Sequence, residues 1–326
     1  MIYYHILACS HHNLMLDLNE AADTLQCPLG CIYIKRKGVF RFVENEEYAS
    51  SFGIQWNKFR LTQLDSYTGL SISRDRLTRI SGGSLEVFKD KIVLEAGCGA
   101  GRFTEIMLQS GAKVFAVDLS NAVEANFENN GAHPEVFICQ ADLLTLPVFP
   151  EQFDIVVCVG VIQHTPNPEE TMKILYSHVK PGGILMIDHY SYGYPVTPVR
   201  KWLRQCLLRT SEKDSMRFVE GMVKLLWPLH RVFYKIKNNK IIAFLRPHFY
   251  YWSPVVDYCE SYPQLSEELL YEWAILDTHD TLTDRYKHLR SIEEIEAHLK
   301  SLGMRDVVAT YGGNGVEARA IKPIKE

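Results

Sequence analysis

Residues 92–104 read IVLEAGCGAGRFT, a short apolar run that ends in an acid and is followed by three glycines at alternate positions. From Phe103 onward, apolar residues recur at helical spacing. This order predicts a buried strand, a tight turn and a helix. Because glycine lacks a side chain and adopts positive φ, backbone N–H groups in such a turn can approach a bound ligand. The helix that follows favours negative charge at its N-terminus.

Four further apolar runs follow, and each ends in polar or small residues. The run 113–117 ends at Asp118, about 20 residues after the first glycine, where nucleotide-binding folds place an acid that binds ribose. The others are 136–139, 153–159 and 184–187. Strands that alternate with helical stretches predict a parallel sheet, and ligands bind such sheets at the carboxyl ends of the strands.

These blocks resemble the class I S-adenosylmethionine-dependent methyltransferases. The matching motifs are EAGCGAG at 95–101, VDLS at 117–120, ADL at 141–143, FDIVVCVGVIQH at 153–164 and KPGGIL at 180–185. The resemblance implies an α/β, Rossmann-like fold with a seven-stranded, mostly parallel sheet whose last strand is antiparallel. It also implies S-adenosyl-L-methionine as cofactor. A dinucleotide dehydrogenase would normally carry G-x-G-x-x-G, whereas Arg102 and Phe103 follow Gly101 here.

The resemblance also assigns roles to residues at the strand ends. The cofactor-binding candidates are Glu95, Gly97, Cys98, Gly99, Gly101, Asp118, Leu119, Asp142, Leu143, Gly160 and Gln163. The glycines leave backbone room for the methionine end of the cofactor, and Glu95 helps orient that end. Asp118 accepts hydrogen bonds from the ribose hydroxyls, while Asp142 and Leu143 bind the adenine.

Two histidines are candidates for a catalytic base. His164 follows the fourth of these strands and His189 follows the fifth. An unperturbed imidazole pKa near 6.5 suits proton abstraction from a hydroxyl. The alternative for His164 is a structural histidine that hydrogen-bonds to the backbone. Tyr190 and the segment 277–280 are further candidates.

The first 45 residues form a distinct segment rich in cysteine and histidine. Cys9 and His12 are three residues apart, Cys27 and Cys31 are four apart, and two such pairs can meet at one tetrahedral ion. The segment resembles the small zinc ribbons that precede some methyltransferases of this class, although His12 replaces a cysteine and the second pair is one residue longer. It predicts either a structural zinc site or a degenerate ribbon that packs through its apolar residues.

The rest of the chain divides around the core. We expect a helical cap at 46–84, the cofactor-binding core at 85–190, a helical insertion at 191–290, and a helix and hairpin at 291–326 that complete the core. The cap carries aromatic residues at helical spacing, namely Tyr48, Phe52, Trp56 and Phe59. Its candidates for contact with the cofactor or the substrate are Gln55, Trp56, Gln63 and Tyr67.

The insertion has an uneven charge distribution. Residues 196–246 contain twelve Lys and Arg against three acids, whereas 247–284 contain eight acids and no Lys or Arg. The basic half either contacts an anionic substrate or a membrane surface, or it is neutralised by the acidic half within a helical lid or a dimer contact.

Composition limits the classes of function. A net charge of -4 over 326 residues gives no general attraction to nucleic acid, so a nucleic-acid partner is not expected. No segment is apolar enough for a signal peptide or a transmembrane helix. Three of the eight cysteines lie on predicted core strands or in the glycine turn, which suits free thiols and a cytoplasmic protein.

The sequence therefore predicts an enzyme that methylates a small-molecule acceptor, most simply at an oxygen of a glycosyl, lipid or secondary-metabolite compound. The alternatives are an RNA or protein methyltransferase that docks through the ribbon and the basic insertion, and a partner subunit without activity. Homo-oligomer formation stays open.

Overall fold

The computed structural model describes residues 3–43, 49–194 and 197–324. Eleven strands lie within these ranges. In chain order they are β1 Asp17–Asn19, β2 Thr24–Gln26, β3 Ile32–Arg36, β4 Val39–Arg41, β5 Ile92–Ala96, β6 Lys113–Asp118, β7 Val136–Gln140, β8 Phe153–Cys158, β9 Val179–Tyr190, β10 Arg305–Gly312 and β11 Gly315–Ile321.

Eleven α-helices lie in the same ranges. They are α1 Ser50–Lys58, α2 Asp65–Thr68, α3 Ile72–Ile80, α4 Arg102–Gln109, α5 Ala122–Asn130, α6 Pro168–His178, α7 Pro198–Leu207, α8 Glu212–Lys235, α9 Lys240–Trp252, α10 Glu267–Thr283 and α11 Ile292–Ser301. Tyr48, which the sequence places on a helix with Phe52 and Trp56, lies outside the described residues.

The strands form one mixed sheet in the order β1-β2-β3-β4-β7-β6-β5-β8-β9-β11-β10. Strands β5 to β9 pair in parallel, and β11 runs antiparallel to both β9 and β10. The Rossmann-like class and the antiparallel last strand are therefore confirmed. The predicted count of seven strands covers β5 to β11, and β1 to β4 extend the sheet beyond it because β4 pairs with the edge strand β7.

Both faces of the central sheet are buried. Along β5, Val93 packs into the apolar layer on one face and Leu94 into the layer on the other. Val114 and Phe115 alternate in the same way along β6. A parallel sheet covered on both faces needs near-continuous apolar runs, which explains why these strands stand out in the sequence.

The N-terminal segment is joined to the main sheet. Strand β4 pairs in parallel with β7, with Phe40 opposite Cys139 and Arg41 opposite Gln140. Phe40 also stacks on Phe137, with ring centroids 6.1 Å apart. A segment this short cannot bury a core of its own, and it shares the apolar layer of the sheet instead.

The residues around the core build the rest of the molecule. Helices α7, α8 and α10 of the insertion enclose a third apolar cluster, which includes Val219, Trp227 and Leu276. After the insertion, Ser291 and Glu294 form the predicted capping box at the start of α11. None of the helices in the described ranges combines the length and the apolar character needed to cross a membrane.

Candidate functional site

The glycine turn follows β5 and leads directly into α4. Gly97 has φ of +81°, and a Cβ atom there would lie 2.2 Å from Cγ2 of Val161. Gly99 has φ of +50°, and a Cβ there would lie 3.5 Å from the Trp56 ring. The turn therefore needs glycine at position 97, where the loop after β8 approaches closely, whereas a Cβ at position 99 would be in ordinary van der Waals contact with the Trp56 ring.

Asp118, at the end of β6, is bonded to the turn. Its Oδ2 accepts a hydrogen bond of 2.9 Å from the Gly99 N–H, and its Oδ1 accepts bonds from the N–H and hydroxyl of Ser120. Burial raises the pKa of Asp118, and the hydrogen bonds from Ser120 and Gly99 offset part of that rise. Oδ1 thus accepts two bonds, whereas Oδ2 accepts one and has a second lone pair that can accept a bond from a ligand hydroxyl.

A cavity of about 1210 Å³ lies at the carboxyl ends of the strands. This volume exceeds the range of roughly 300–1,000 Å³ that a single drug-sized ligand occupies, so the cavity has room for two reactants. Eight of the predicted site residues line it. They are Gly97, Cys98, Gly99, Asp118, Leu119, Leu143, Gly160 and His164.

The other half of the cavity is lined by the cap and the insertion, and its side chains are mainly aromatic. They include Phe52, Trp56, Tyr190, Tyr194, Tyr250, Tyr251, Tyr258, Tyr262 and Trp273. Tyr190 and Tyr194 stack with ring centroids 4.3 Å apart. Aromatic walls with a few polar groups are typical of a site for a ring-bearing or apolar small molecule.

His164 lies where the two halves of the cavity meet. Its Nδ1 is 3.1 Å from the Tyr286 carbonyl and 3.5 Å from Oδ2 of Asp284. A carbonyl can only accept, so Nδ1 carries the proton and Nε2 of the neutral ring is free to accept one. Burial lowers the pKa of His164, but the interaction of its N–H with the Asp284 carboxylate and the charges of Asp280 and Asp284 outweigh burial, and the net pKa is raised.

Two carboxylates of α10 also face the cavity. Asp277 accepts hydrogen bonds from Tyr258 (2.5 Å), Trp273 (3.1 Å) and Gln63 (3.2 Å). Burial raises the pKa of Asp277 to about 7, although its hydrogen bonds act against the rise. Asp280 accepts from Gln55 at 3.4 Å, and burial raises its pKa as well. These acids come from the segment 277–280 that the sequence singled out; Thr278 and His279 do not line the cavity.

Five predicted site residues do not line the cavity. Glu95 lies behind the turn and accepts a hydrogen bond from Thr104, and burial raises its pKa to about 8. Asp142 accepts from the Leu144 N–H at 2.9 Å instead of facing the ligand space. Gly101 would place a Cβ against Asn126, which is packed beside it. Gln163 is fully buried, and its side-chain amide has no partner among the described residues.

His189 is the fifth of these residues. Side chains alternate along β9, and Asp188 points towards the cavity side, where it accepts from the Gly160 N–H at 2.5 Å and from Arg76. His189 therefore lies on the opposite face of the sheet, where its Nδ1 is 2.9 Å from the Tyr190 carbonyl. Burial lowers the pKa of His189.

Four arginines that line the cavity were not predicted, namely Arg76, Arg79, Arg102 and Arg200. Arg76 on α3 forms an ion pair with Asp188. Arg102, at the start of α4, donates to Ser73 at 3.0 Å and to Gln63, but it forms no ion pair within the described ranges. Burial lowers the pKa of Arg102 to about 10, and the nearby charge of Arg76 adds to this effect. The signal available in the sequence was the position of Arg102 directly after the glycine turn.

The four predicted metal ligands lie together in the N-terminal segment. Their ligand atoms are all within 4.8 Å of one another. The His12 Nδ1 is 3.4 Å from the Cys27 Sγ and 3.6 Å from the Cys9 and Cys31 Sγ atoms. Tetrahedral zinc, with Zn–S near 2.3 Å and Zn–N near 2.0 Å, would hold sulfur and nitrogen about 3.6 Å apart. The donor set and its spacing fit this metal.

Comparison with known proteins identifies the central part of the chain. Residues 94–187 match the family described as a methyltransferase domain. The chain is 37% identical over 97 residues to the ubiquinone biosynthesis O-methyltransferase of Pseudomonas entomophila, covering 28% of this chain and 41% of that protein. It is 30% identical over 136 residues to the protein of the same name from Azoarcus sp., covering 40% of this chain and 50% of that one.

Solved structures of similar fold were also found. One is an S-adenosyl-L-methionine-dependent methyltransferase described as putative, from Methanococcus maripaludis, with 13% identity, a TM-score of 0.45, and coverage of 87% of this chain and 97% of that one. Another is the magnesium protoporphyrin IX methyltransferase of Synechocystis, solved with bound S-adenosylhomocysteine, with 14% identity, a TM-score of 0.44, and coverage of 85% and 97%.

Residues 94–187 therefore form a methyltransferase domain of the class I S-adenosylmethionine-dependent type, as the sequence motifs predict. The chain matches only about two fifths to one half of the length of the curated relatives. The half of the cavity that contains the glycine turn and Asp118 lies within the matched residues, while the aromatic half is formed by residues outside them.

The two glycines that flank the cavity provide a test of the turn. Both Gly97 and Gly160 have φ near +80°, but a Cβ at Gly160 would meet no atom within 4 Å, whereas one at Gly97 would collide with Val161. We expect Gly160→Ala to cost about 1–2 kcal/mol for backbone strain, and Gly97→Ala to cost roughly 1–3 kcal/mol more for overpacking. Chemical denaturation of the ligand-free protein measures both. Equal losses would contradict the close approach at Gly97.

Proposed function

We propose that this protein is an S-adenosylmethionine-dependent methyltransferase that methylates an oxygen of a small-molecule acceptor. The observation that carries the proposal is one continuous cavity, in which the glycine turn and Asp118 form one half, aromatic side chains form the other, and His164 lies between them. The methyltransferase domain and the names of the related O-methyltransferases support it. A cytoplasmic location remains a prediction from the sequence.

The first half of the cavity fits the cofactor. Gly97, Gly99 and Gly160 all line the cavity, and a Cβ at Gly160 would meet no atom within 4 Å, so the methionine end can lie beside the turn. Asp118 would accept a hydrogen bond from a ribose hydroxyl through Oδ2, and Leu119 and Leu143 would flank the adenine. Arg102 has no carboxylate partner of its own among the described residues, and it would pair with the carboxylate of the cofactor.

The chemistry that the cofactor supplies is a methyl group on a sulfonium, open to in-line attack by a nucleophile. The protein's task is to align the acceptor, exclude water and remove the hydroxyl proton. His164 can perform the last step, because Nδ1 donates to the Tyr286 carbonyl and leaves Nε2 to accept the proton. Asp284, whose carboxylate is fully buried, would stabilise the imidazolium that results.

We also propose that Cys9, His12, Cys27 and Cys31 hold one structural zinc ion. Four protein ligands leave no open coordination position, so this ion would take no part in the reaction. The Tyr33 hydroxyl lies 3.1 Å from the Cys9 Sγ and would donate to the thiolate as an outer hydrogen bond. The ion would connect the loop that precedes β1 to the loop that follows β2.

Removal of the Asp118 carboxylate tests the cofactor site. Asp118→Ala deletes a charge-assisted hydrogen bond to the ribose, so we expect the affinity for S-adenosylmethionine to fall about 10- to 100-fold by calorimetry. Glu296→Ala, which removes a half-buried carboxylate that is paired with Lys300 and does not line the cavity, is the matched control. Unchanged affinity in the Asp118 variant would contradict the assignment.

The pH profile of turnover tests the base. His164 is active when neutral, and its pKa is raised, so we expect kcat/KM to rise with pH through a value above the ordinary 6.5. His164→Asn should lower kcat about 10²- to 10⁴-fold and abolish this limb, while cofactor affinity is retained. Release of S-adenosylhomocysteine with a panel of hydroxylated acceptors is the readout. His189→Asn serves as the comparison, since a similar loss there would favour His189 instead.

Metal analysis tests the zinc site. We expect one zinc per chain in the purified protein, and we expect Cys31→Ser to lower both the zinc content and the melting temperature. Chelation should lower the melting temperature of the wild type in the same direction, because the metal contributes to folding. Cys206→Ser, which changes an exposed cysteine outside the cluster, is the control. A metal-free protein that is insensitive to chelator would identify the segment as a degenerate ribbon.

A further inference from the structure

The outer surface of the insertion exposes an unusual share of apolar side chains. Of the 23 large apolar residues that are exposed in the described ranges, twelve lie between Trp202 and Trp252. Helix α9 has no buried residue at all, although its sequence is KIIAFLRPHFYYW. Phe244 on this helix is 72% exposed and Leu225 on α8 is 77% exposed. Patches of this kind mark interaction sites.

The exposed apolar residues form rows along the helices. On α8 and its C-cap they recur at intervals of three, four or seven residues, which places them on one side of the helix. They are Phe218, Leu225, Leu229, Val232 and Ile236. On α9 the row comprises Ile241, Phe244, Leu245 and Trp252. Ile236 and Ile241 lie on either side of the short turn that connects the two helices.

A row of cations accompanies the apolar row on α8. Lys213, Lys224 and Lys235 recur every 11 residues, about three helical turns, so they lie in line along the exposed half of the helix. None of the three forms an ion pair in the part of the chain that the structure describes, and Lys240 at the start of α9 forms none either.

The acids of the insertion do not neutralise these lysines. Asp257 is bonded to His230, Asp284 to Arg204, and Glu260 to Arg246. The acidic half of the insertion therefore neutralises the charge of only part of the basic half. The lysines that remain unpaired share the exposed surface with the apolar rows.

We propose that this face of α8 and α9 docks on the surface of an anionic lipid bilayer. Helices that lie in a membrane interface combine an apolar side with Lys and Arg and with Trp or Tyr at the edge. Anionic headgroups would supply the charge that the lysines lack. A second copy of the chain would bring the same lysines against one another across a two-fold axis, which like-charge repulsion disfavours.

The position of α9 connects this face to the cavity. Pro247, Tyr250 and Tyr251 of the same helix line the cavity, and Tyr251 is also exposed, so it marks the mouth. An amphiphilic acceptor could therefore pass from the bilayer to the aromatic half of the cavity without crossing water. This link to the acceptor rests on the proposed methyltransferase function, whereas the docking surface itself does not.

Flotation of the full-length protein with vesicles tests the proposal. We expect binding to vesicles that contain about one-third phosphatidylserine, little binding to phosphatidylcholine alone, and weakening by salt. Lys213→Ala/Lys224→Ala/Lys235→Ala should lower the partition constant about 100-fold, roughly five-fold for each lysine. Ile241→Ser/Phe244→Ser should abolish binding. Lys89→Ala/Lys91→Ala/Lys300→Ala and Val308→Ser, at exposed positions elsewhere, are the controls.

Failure of the wild type to bind the anionic vesicles, equal binding to neutral ones, or an equal loss in the controls would overturn the proposal. A concentration-dependent dimer that Ile241→Ser/Phe244→Ser abolishes, without vesicle binding, would assign the face to a second copy and would overturn it too. All the substituted residues are exposed, and circular dichroism confirms folding. Calorimetry with S-adenosylmethionine on the same variants separates the outcomes, because cofactor binding should be unchanged whether or not docking occurs.

Discussion

The hydrogen bond between the Gly99 N–H and the Asp118 carboxylate fixes the geometry on which the site depends. It joins the turn after β5 to the end of β6, and both oxygens of the carboxylate are oriented by backbone or hydroxyl donors. Because the turn is held in this way, Gly99 and Asp118 both line the cavity, which extends from the turn to the insertion. The aromatic half has no such backbone constraint and depends on helix packing instead.

Much of the fold was predictable because the physical demands on it are local. A parallel sheet buried on both faces needs continuous apolar strands, and the turns at the strand ends need glycine or an acid, so the order of elements from Ile92 to Asp188 can be read directly. The predicted set of cavity residues was less complete. The alternation of side chains along β9 already excluded Asp188 and His189 from facing the same side, and this period-2 argument was available from the sequence.

The remaining features were not predictable because they arise from contacts between distant segments. Asp188 on β9 pairs with Arg76 on α3, and Asp284 at the end of α10 lies 3.5 Å from His164, which follows β8. The pairing of β4 with β7 likewise depends on which strand lies at the edge of the central sheet, and the pattern of apolar residues does not show this. The sequence allowed two interpretations of the basic half of the insertion, contact with an anionic partner or neutralisation by the acidic half. Only the arrangement of α8 to α10 shows which Lys and Arg side chains are paired with acids.

Asp284 links the insertion to the proton chemistry of the core. Its buried carboxylate is held by Arg204 of α7 at 2.7 Å and by Lys287 at 3.1 Å, and it is one source of the raised pKa of His164. If α7 and α10 moved away together, the imidazole would lose this counter-charge and its affinity for a proton would fall. The pKa of His164 therefore depends on how α7 and α10 pack around Asp284.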